Sequence, residues 1–594
     1  MKYTSRYMLR TVVAIWIGLG TAYSLSQTTA TDTQIRQVVV EGSSLLTADE
    51  LAGSLSLQVG SSYTDEAARA DFEALQALYE ARGYQLSDTA AFSFEAGRYM
   101  QRVRELTVGM RNVIFLGRPE TEGGPPSMSP TGTTDTNFIL KYLPDSGELY
   151  QADAIAGAKA QLMALPAFLA VEIAPEVSEE GVDLTVQVFE VPNNILLRLE
   201  PVLGAELDSG RAAFFELGVK YTLPDLFGRA HSASAAGIVY TTDNGTQFGG
   251  ELTYTIPWLE LNLFDFQDNP TSFEVSVYSL VDANVPLRAN GPRDLPHPCI
   301  EAGTCDDDNE DNVIRVGETT QRTTGLRLDL ARNLSATTQL ATSLRFELVD
   351  YDYETGEDCE FDADGNLDGG CDLSEADASS FTEQDGGFIF FDTQLTRDTR
   401  DDPSFARWGY YASARAGIGF GDDYRNRETL EQDNYLYVPL EVGLRGYFTP
   451  LANSQVLALR VNAGTALSDG LPYARMFDVG DNSDFAYQLR GYSGDDILAT
   501  QNYVTSSVEY RVDVTSLGLD IPLTERFVVY GFADTGFTTN DFDGDDPDLH
   551  FGAGAGALIQ LNAFGISAPA IRLNYGFSEA NSSGVFSIGV GDLF

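Results

Sequence analysis

From Asn194 to Phe594 the chain is a run of β-rich segments joined by two alternating kinds of connection. The segments fall near 195–206, 211–222, 230–242, 246–257, 271–282, 317–331, 335–352, 385–397, 409–420, 434–448, 454–466, 501–513, 526–535, 550–561, 567–577 and 584–594, sixteen in all. One set of connections is compact: Leu223–Arg229, Ala331–Leu334, Thr449–Asn453 and Ala563–Ile566. The other includes the long stretches 283–316, 353–384, 421–433, 467–500 and 536–549. Short turns on one side and long loops on the other are the asymmetry of an antiparallel barrel in an outer membrane, with the short turns in the periplasm. An even strand number places both ends of the barrel on that same side.

Lipid narrows the choice further. No stretch after residue 25 reaches the roughly 18 apolar residues of a membrane helix. Only helices and closed barrels satisfy their backbone in hydrocarbon, so any embedding is by strands. The period-two pattern agrees. Within Val504–Tyr510, Val504, Val508 and Tyr510 share one face, while Thr505, Ser507 and Glu509 share the other. In the last segment Phe586, Ile588 and Val590 oppose Ser587, Gly589 and Gly591. Both fit an apolar face toward lipid and a polar face toward the lumen. The 28 Tyr, 34 Phe and 56 Gly suit a barrel with aromatic girdles, and Phe594 ends the chain at the periplasmic rim. Gly584, Gly589 and Gly591 are consistent with a weak final strand.

The first residues read as an export signal, assigned to 1–26. Lys2, Arg6 and Arg10 give a basic start, Thr11–Gly20 a short apolar core, and Ala22, Ser24 and Ser26 small residues for cleavage. No Cys follows the core, so a lipoprotein is not expected. With 37 basic and 88 acidic residues the net charge is -51, which argues against nucleic acid as a partner. Its plain reading is solubility of exposed loops.

Residues 33–192 have another texture. Ile35–Val40 is a short β-rich run closed by Gly42; Leu45–Leu55 and Asp65–Arg82 carry helical spacing, with Phe72, Leu75, Leu78 and Tyr79 on one face. Gly83–Tyr84 ends the second helix as a left-handed cap, and β-like sequence follows to Val108. The pattern then repeats. Val113–Leu116 is a strand, Gly123–Thr134 a Gly/Pro/Ser/Thr-rich insertion, Phe138–Tyr142 and Ala152–Leu165 helices, and Val171–Ile173 and Val182–Val191 strands. Two strand–helix–helix–strand–strand units are predicted, over 33–108 and 109–192, ahead of a barrel over 193–594. The fold class is therefore a sixteen-stranded antiparallel membrane β-barrel preceded by two small α+β domains.

Three barrel motifs carry a family resemblance. Asp398-Thr399-Arg400-Asp401-Asp402-Pro403, followed by Trp408-Gly409, resembles a D-x-R-D-x-P turn between two barrel strands. Phe477-Asp478-Val479-Gly480 leading to Leu489-Arg490-Gly491-Tyr492 resembles a sixth-loop signature ending in R-G-[FY]. Phe532-Ala533-Asp534-Thr535-Gly536 resembles F-x-D-x-G on the thirteenth strand. In this order they are similar to the outer-membrane assembly-factor family of BamA and TamA, over nearly the whole mature chain. Leu444-Arg445-Gly446-Tyr447 repeats the letters inside a predicted strand and is read as chance.

The resemblance implies that the paired modules are POTRA domains, which bind partners or nascent chains through strand edges. It implies that the sixth loop folds back into the barrel, where Arg490 meets Asp534 and Glu509. A guanidinium in a confined lumen needs a bidentate carboxylate partner. Strand parity points Glu509 inward; Asp534 shares a face with Tyr530 and Phe532, and the resemblance places all three inside. It further implies first and last strands that pair poorly, so that the seam opens sideways and its edges guide β-rich client proteins. The implied setting is outer-membrane lipid of a Gram-negative cell, with the N-terminal domains in the periplasm reaching an inner-membrane-anchored, TamB-like partner. BamA-type proteins usually carry five modules and TamA-type three. Two is the number in two-partner secretion transporters such as FhaC, but those have an N-terminal plug helix and lack the D-x-R-D-x-P turn. No such helix is readable before Ile35. The expectation is a TamA-like factor, with a two-partner transporter exporting one cognate substrate as the alternative, and a passive porin third.

Four cysteines lie in two long outside loops, Cys299 and Cys305 in one, Cys359 and Cys371 in the next. A disulfide within each loop is the simplest of the three pairings. Between the second pair, Asp362, Asp364, Asn366 and Asp368 put oxygen ligands at alternate positions, as calcium loops do. No Glu closes a twelve-residue loop, and a solvated acidic loop is the competing reading; Asp541–Asp546 is a weaker instance. No cofactor is required. His231, His297 and His550 lack metal spacing, and no nucleophile elbow, P-loop or CxxC occurs, so no enzyme is expected.

Overall fold

The computed structural model describes residues 33–590 except 88–90, 118–125, 179–180, 192–198, 207–213, 243–244, 263, 267–268, 290–313, 336, 353–384, 403–404, 426–431, 450–453, 468–474, 478, 480–488, 493–499, 519–523, 540–547, 564–565 and 568–569. The expected export signal and Phe594 lie outside these residues. The chain forms two compact units: one is the first module with 146–152 and 178–182, and the other holds most of the second module and the barrel.

In the first module β1 (Gln37–Glu41), α1 (Ala48–Ser54), α2 (Asp65–Glu80), β2 (Ala91–Glu95) and β3 (Arg98–Arg102) follow in order. The sheet order is β1-β3-β2, with β1 parallel and β2 antiparallel to β3. Thr47 caps α1 in a reciprocal box with Glu50, and Thr64 caps α2 through the Ala67 N–H. The Thr47 backbone N–H is the main cause that brings the Glu50 carboxyl down to about 2. Gly83 at φ +80 stops the second helix. Leu51, Leu75, Tyr79 and Tyr99 fill the core, and buried Asp71 takes the Ser56 and Leu57 N–H groups at 2.6 and 3.2 Å.

The second module contains β4 (Val108–Gly117), β5 (Ser127–Ser129), α3 (Thr136–Leu140), α4 (Ala152–Met163), β6 (Phe168–Val177) and β7 (Val182–Glu190), in sheet order β5-β4-β7-β6. It departs from the sequence reading at one place. The Gly/Pro/Ser/Thr-rich insertion is not plain loop: it returns to pair Ser127–Ser129 with Phe115–Gly117 as an added edge strand.

The barrel strands are β8 (Leu199–Glu206), β9 (Phe214–Leu226), β10 (His231–Thr242), β11 (Gly245–Ile256), β12 (Thr271–Ala289), β13 (Ile314–Ser335), β14 (Thr338–Asp352), β15 (Gly386–Asp398), β16 (Gly409–Arg425), β17 (Gln432–Tyr437), β18 (Pro439–Phe448), β19 (Gln455–Ala466), β20 (Asn502–Asp513), β21 (Thr524–Thr539), β22 (Asp548–Ala563), β23 (Ile566–Ser567), β24 (Ile571–Ser578) and β25 (Val585–Val590). They close in sequence order, with β25 beside β8. β17 and β18 are one strand interrupted before Pro439, which has no N–H for the ladder. β23 and β24 both pair with β22 and likewise form one strand, which leaves sixteen.

Alternation holds along the wall. On β20, Tyr503, Thr505, Ser507, Glu509, Arg511 and Asp513 are buried, whereas Val504, Val508 and Tyr510 face outward. Three connections on the side of the second module are longer than tight turns: Pro257–Pro270, Thr399–Trp408 and 514–523. The first docks that module. Tyr142 stands edge-on to Trp258 with ring centroids 5.0 Å apart, and Lys141 bonds Glu260, which also holds Arg229 at 2.9 Å. Asp135 N–H donates to the Gly228 carbonyl at 2.7 Å, and the Thr134 hydroxyl to Asp225 at 3.1 Å.

Candidate functional site: the sixth-loop clasp

The loop between β19 and β20 leaves the far mouth of the barrel and turns back into it. Phe477 and Thr500 exchange two backbone hydrogen bonds of 2.8 Å, and the Leu489 N–H donates to the Val479 carbonyl at 2.9 Å. This short ladder presents Phe477, Val479, Leu489 and Tyr492 to an apolar inner wall made by Phe388, Phe390, Tyr435, Ala466 and Tyr503. Burying each large side chain is worth about 1.5–3 kcal/mol, which sets against the entropy of ordering the loop.

Beyond the ladder, Arg490 enters the wall itself. Its Nε donates to Asp534 Oδ2 at 2.7 Å and its Nη2 to Asp534 Oδ1 at 2.6 Å, while its backbone N–H donates to the same carboxylate at 3.1 Å. Nη2 also reaches Ser507 Oγ at 2.8 Å, and Nη1 bonds Glu509. The guanidinium lies 3.7 Å from the Phe532 ring centroid. Arg490 is 1% exposed and Glu509 0%. A charge so placed is tolerable only when its N–H fork is met by carboxylates, as it is here. Glu509 is shared: Arg511 Nε bonds it at 2.8 Å, and Arg572 Nη1 at 3.4 Å.

Each letter of the F-x-D-x-G segment then has a reason. Phe532 supplies the ring under the guanidinium, and Asp534 the bidentate carboxylate. Gly536 leaves room for Leu489, whose Cδ1 would lie 2.3 Å from an added Cβ. Gly552 does the same for the Arg490 carbonyl, at 2.1 Å. Gly491 sits at φ +96 against Phe577, and its carbonyl accepts from Ser578 Oγ at 2.7 Å. The Tyr492 hydroxyl accepts from the Phe551 N–H at 2.7 Å. The loop is thus held on β20, β21, β22 and β24.

A second arginine of the same loop, Arg475, bonds Asp423 at 2.6 Å and Tyr435 Oη at 2.9 Å, over the Phe388 ring at 3.8 Å. Sequence reading missed Arg475, Arg511, Arg572 and the partnership of Ser507. Parity alone marks Ser507 and Arg511 as inward neighbours of Glu509; nothing in it marks Arg475.

The other singled-out residues lie apart from the clasp. In the turn motif Arg400 bonds Asp398 through Nε and Nη2 at 2.9 and 2.7 Å. Asp401 accepts from the Arg407 and Trp408 N–H groups at 2.8 and 3.0 Å. Burial pushes the Asp401 carboxyl up, but the Trp408 and Arg407 N–H groups outweigh it and leave it below its ordinary value. Pro403 lies outside the described residues. On β25, Phe586 is outward and 43% exposed, and Gly589 pairs with Arg572. Cys299, Cys305, Cys359, Cys371 and the Asp362, Asp364, Asn366 and Asp368 set all lie outside the described residues. Among the described residues, no group of three acidic, His or Cys side chains is placed to hold a metal ion.

A sixteen-stranded ring fed by small α+β modules, with an arginine-tipped loop locked inside it, defines an outer-membrane protein transport and assembly barrel. The family model described as the Omp85 superfamily domain matches residues 225–594, well over half the chain, and the chain belongs to that superfamily. A POTRA model, the surface antigen variable number repeat, matches residues 33–91. No curated protein sequence matches the chain. Among solved structures it is similar to CdiB from Escherichia coli, at 13% identity and TM-score 0.56, over 96% of this chain and 92% of that one. CdiB from Acinetobacter baumannii is similar at 11% identity and TM-score 0.53, over 94% and 90%. BamA from Haemophilus ducreyi lacking POTRA domains 1–3 matches at 13% identity and TM-score 0.46, over 94% and 99%. Barrels of this superfamily lie in the outer membrane with their POTRA domains in the periplasm, so the second module marks the periplasmic mouth.

Proposed function

We propose that this chain is a TamA-like assembly factor of a Gram-negative outer membrane, which inserts or exports β-rich clients through a seam between β25 and β8. The observation that carries this reading is where the clasp falls. Arg490 and Gly491 tie the sixth loop to β20–β24, and so stiffen the wall up to the last strand without reaching it. β25 is the last described strand and pairs with β24 from Val585 to Val590, beyond the reach of the clasp. The seam beyond the clasp is the place left free to part, and opened edges template an arriving strand. The POTRA sheets dock clients or an inner-membrane-anchored, TamB-like partner by their edges. The work is mechanical, with no bond made or broken by the protein and no cofactor.

The test is a disulfide between one cysteine introduced in Leu199–Glu206 and one in Val585–Val590. Client insertion by the full-length protein stops when the pair is oxidised and returns on reduction. Full activity in the crosslinked form sinks the seam. A second reading, a two-partner secretion transporter, draws on the two modules among the described residues, the number those transporters carry. It requires one cognate secreted substrate that accumulates in the periplasm when this chain is deleted, while other barrels insert normally.

A further inference from the structure

The clasp leaves one motif unused, the Asp398–Trp408 turn, and its geometry is not that of a surface turn. Phe405 and Ala406 are 3% and 2% exposed, packed among Tyr447, Val456, Ala458 and Val528, with Leu558 beside them. Those are inward positions on β18, β19, β21 and β22. The turn therefore leaves β15, crosses the periplasmic mouth and sets an apolar pair into the lumen. Two ion pairs pin it on the opposite wall: Asp402 to Arg526 at 3.6 Å and Arg407 to Asp513 at 3.7 Å. The Arg526 guanidinium lies 4.6 Å from the Phe405 ring centroid, and Thr449 Oγ1 donates to the Arg407 carbonyl at 2.9 Å.

Directly above the turn lies the footing of the clasp. The Arg511 guanidinium is 6.0 Å from the ring centroid of Tyr447, the residue that packs with Phe405, and Arg511 bonds Glu509. Asp513, Arg511, Glu509 and Ser507 are successive inward residues of β20, so the turn and Arg490 sit at two ends of one column. Buried ion pairs are strong only while water is kept out. The sixth loop covers this column from outside, and the turn covers it from the periplasm.

We propose that the Asp398–Trp408 turn is the periplasmic seal of the clasp. Phe405 and Arg407 are positioning residues that exclude water beneath Arg511 and so hold Glu509 for Arg490. The inference rests on the reading that the clasp fixes the sixth loop, but the seal has its own readout. Val456, 0% exposed beneath the turn, is replaced by cysteine in the full-length refolded protein. Labelling by a charged, membrane-impermeant maleimide is quantified on the Val456 peptide by mass spectrometry, so native cysteines do not contribute.

Val456→Cys alone labels slowly. Adding Phe405→Ala or Arg407→Glu speeds labelling by about tenfold or more, because the site then opens without global unfolding. Arg407→Lys, which keeps the charge, stays slow. The temperature at which the heat-modifiable band converts falls in Phe405→Ala and Arg407→Glu but not in Arg407→Lys. Rapid labelling of Val456→Cys by itself, or unchanged labelling in both Phe405→Ala and Arg407→Glu, overturns the seal. Faster labelling with an unchanged conversion temperature overturns its link to the clasp. An Arg490→Ala protein that converts like the parent sinks the clasp reading instead, and leaves the labelling result standing.

Discussion

Two arginines in one barrel show how differently the same chemistry is used. Arg327, on β13, faces Glu251, Glu274 and Asp329 at 3.4, 3.6 and 2.8 Å. Arg490 faces Asp534, Glu509 and Ser507. The partners are alike; the surroundings are not. The side chain of Arg327 is 37% exposed, and it borders a cavity of about 460 Å³ lined by Lys220, Ser232, Glu251 and Thr253 and bounded by Gln161, Ala164, Leu165 and Pro166 of the second module. The side chain of Arg490 is 2% exposed. One half of the barrel, around β9–β14, keeps a polar chamber. The other, from β15 onward, is filled by its own sixth loop and its own turn.

That difference should appear first as energy. A half-exposed ion pair is worth about 0–1 kcal/mol, whereas stranding one member of a buried pair costs about 3–5 kcal/mol. Arg490→Ala, which takes from Asp534 its bidentate partner in a dry site while Glu509 keeps Arg511 and Arg572, is expected to have the largest effect of any single change here. The measurement is the conversion temperature of the heat-modifiable band in detergent, with outer-membrane delivery checked separately. A variant that reaches the membrane and converts like the parent would remove the distinction between the two halves.

Space is the second difference. In the filled half the wall must yield to the loop, and Gly552 does so, with the Arg490 carbonyl 2.1 Å from where its Cβ would stand. Gly237, on β10 of the open half, has nothing within 4 Å. Gly552→Ala should therefore cost about 1–3 kcal/mol by forcing backbone apart, and Gly237→Ala close to nothing. The pair is compared by urea-dependent unfolding of the refolded protein followed by tryptophan fluorescence. Equal effects would mean that the sixth loop does not lie against β22.

The period-two alternation that reports the wall says little about what fills it. β15 was expected at 385–397 and runs Gly386–Asp398; β20 was expected at 501–513 and runs Asn502–Asp513. Glu509 was legible from parity, because it shares a polar face with Thr505 and Ser507 opposite the apolar Val504, Val508 and Tyr510. Asp534 was legible only through the family resemblance, since Tyr530 and Phe532 on its face look like a lipid-facing pattern. They face inward because Phe532 underlies the guanidinium and Tyr530 Oη bonds Asn574 at 2.6 Å. Arg475 and the Phe405 seal were not legible at all. Their roles depend on where a loop lands, and tertiary geometry, not local period, decides that. The same holds for β12 and β13, which run past their expected ends at 282 and 317 to Ala289 and Ile314 by continuing to pair with each other.

At the open half's periplasmic rim, Glu260 offers a smaller test of how the second module is seated. Its carboxyl is held below its ordinary value, first by the Lys141 hydrogen bond, with Lys141 and Arg229 charges adding and burial opposing. A carboxylate depressed in the folded state contributes stability that is present above its unfolded pKa and lost as pH falls through the folded one. Protection of α3 amides from hydrogen exchange should thus decline as pH is lowered below about 4.3, the unfolded value of a glutamate. Glu260→Gln should be less protected at neutral pH and lack that decline. An α3 whose protection is indifferent to both pH and Glu260→Gln would show that this contact does not seat the module.

Arg327→Gln should have the smallest effect, and its smallness is informative. The neutral amide keeps a donor toward Asp329 and Glu274, and water in the chamber solvates the carboxylates left behind, so the expected loss is at most about 1 kcal/mol. The loss should shrink further between low and physiological salt, because exposed charges are screened within roughly 8–10 Å there. Arg490→Gln in the same urea titration should keep its full cost at both salt concentrations, since no ions reach Asp534. If Arg327→Gln proved as costly and as salt-independent as Arg490→Gln, the chamber would be dry. The barrel would then be filled along its whole circumference, and a client would have only the seam to use.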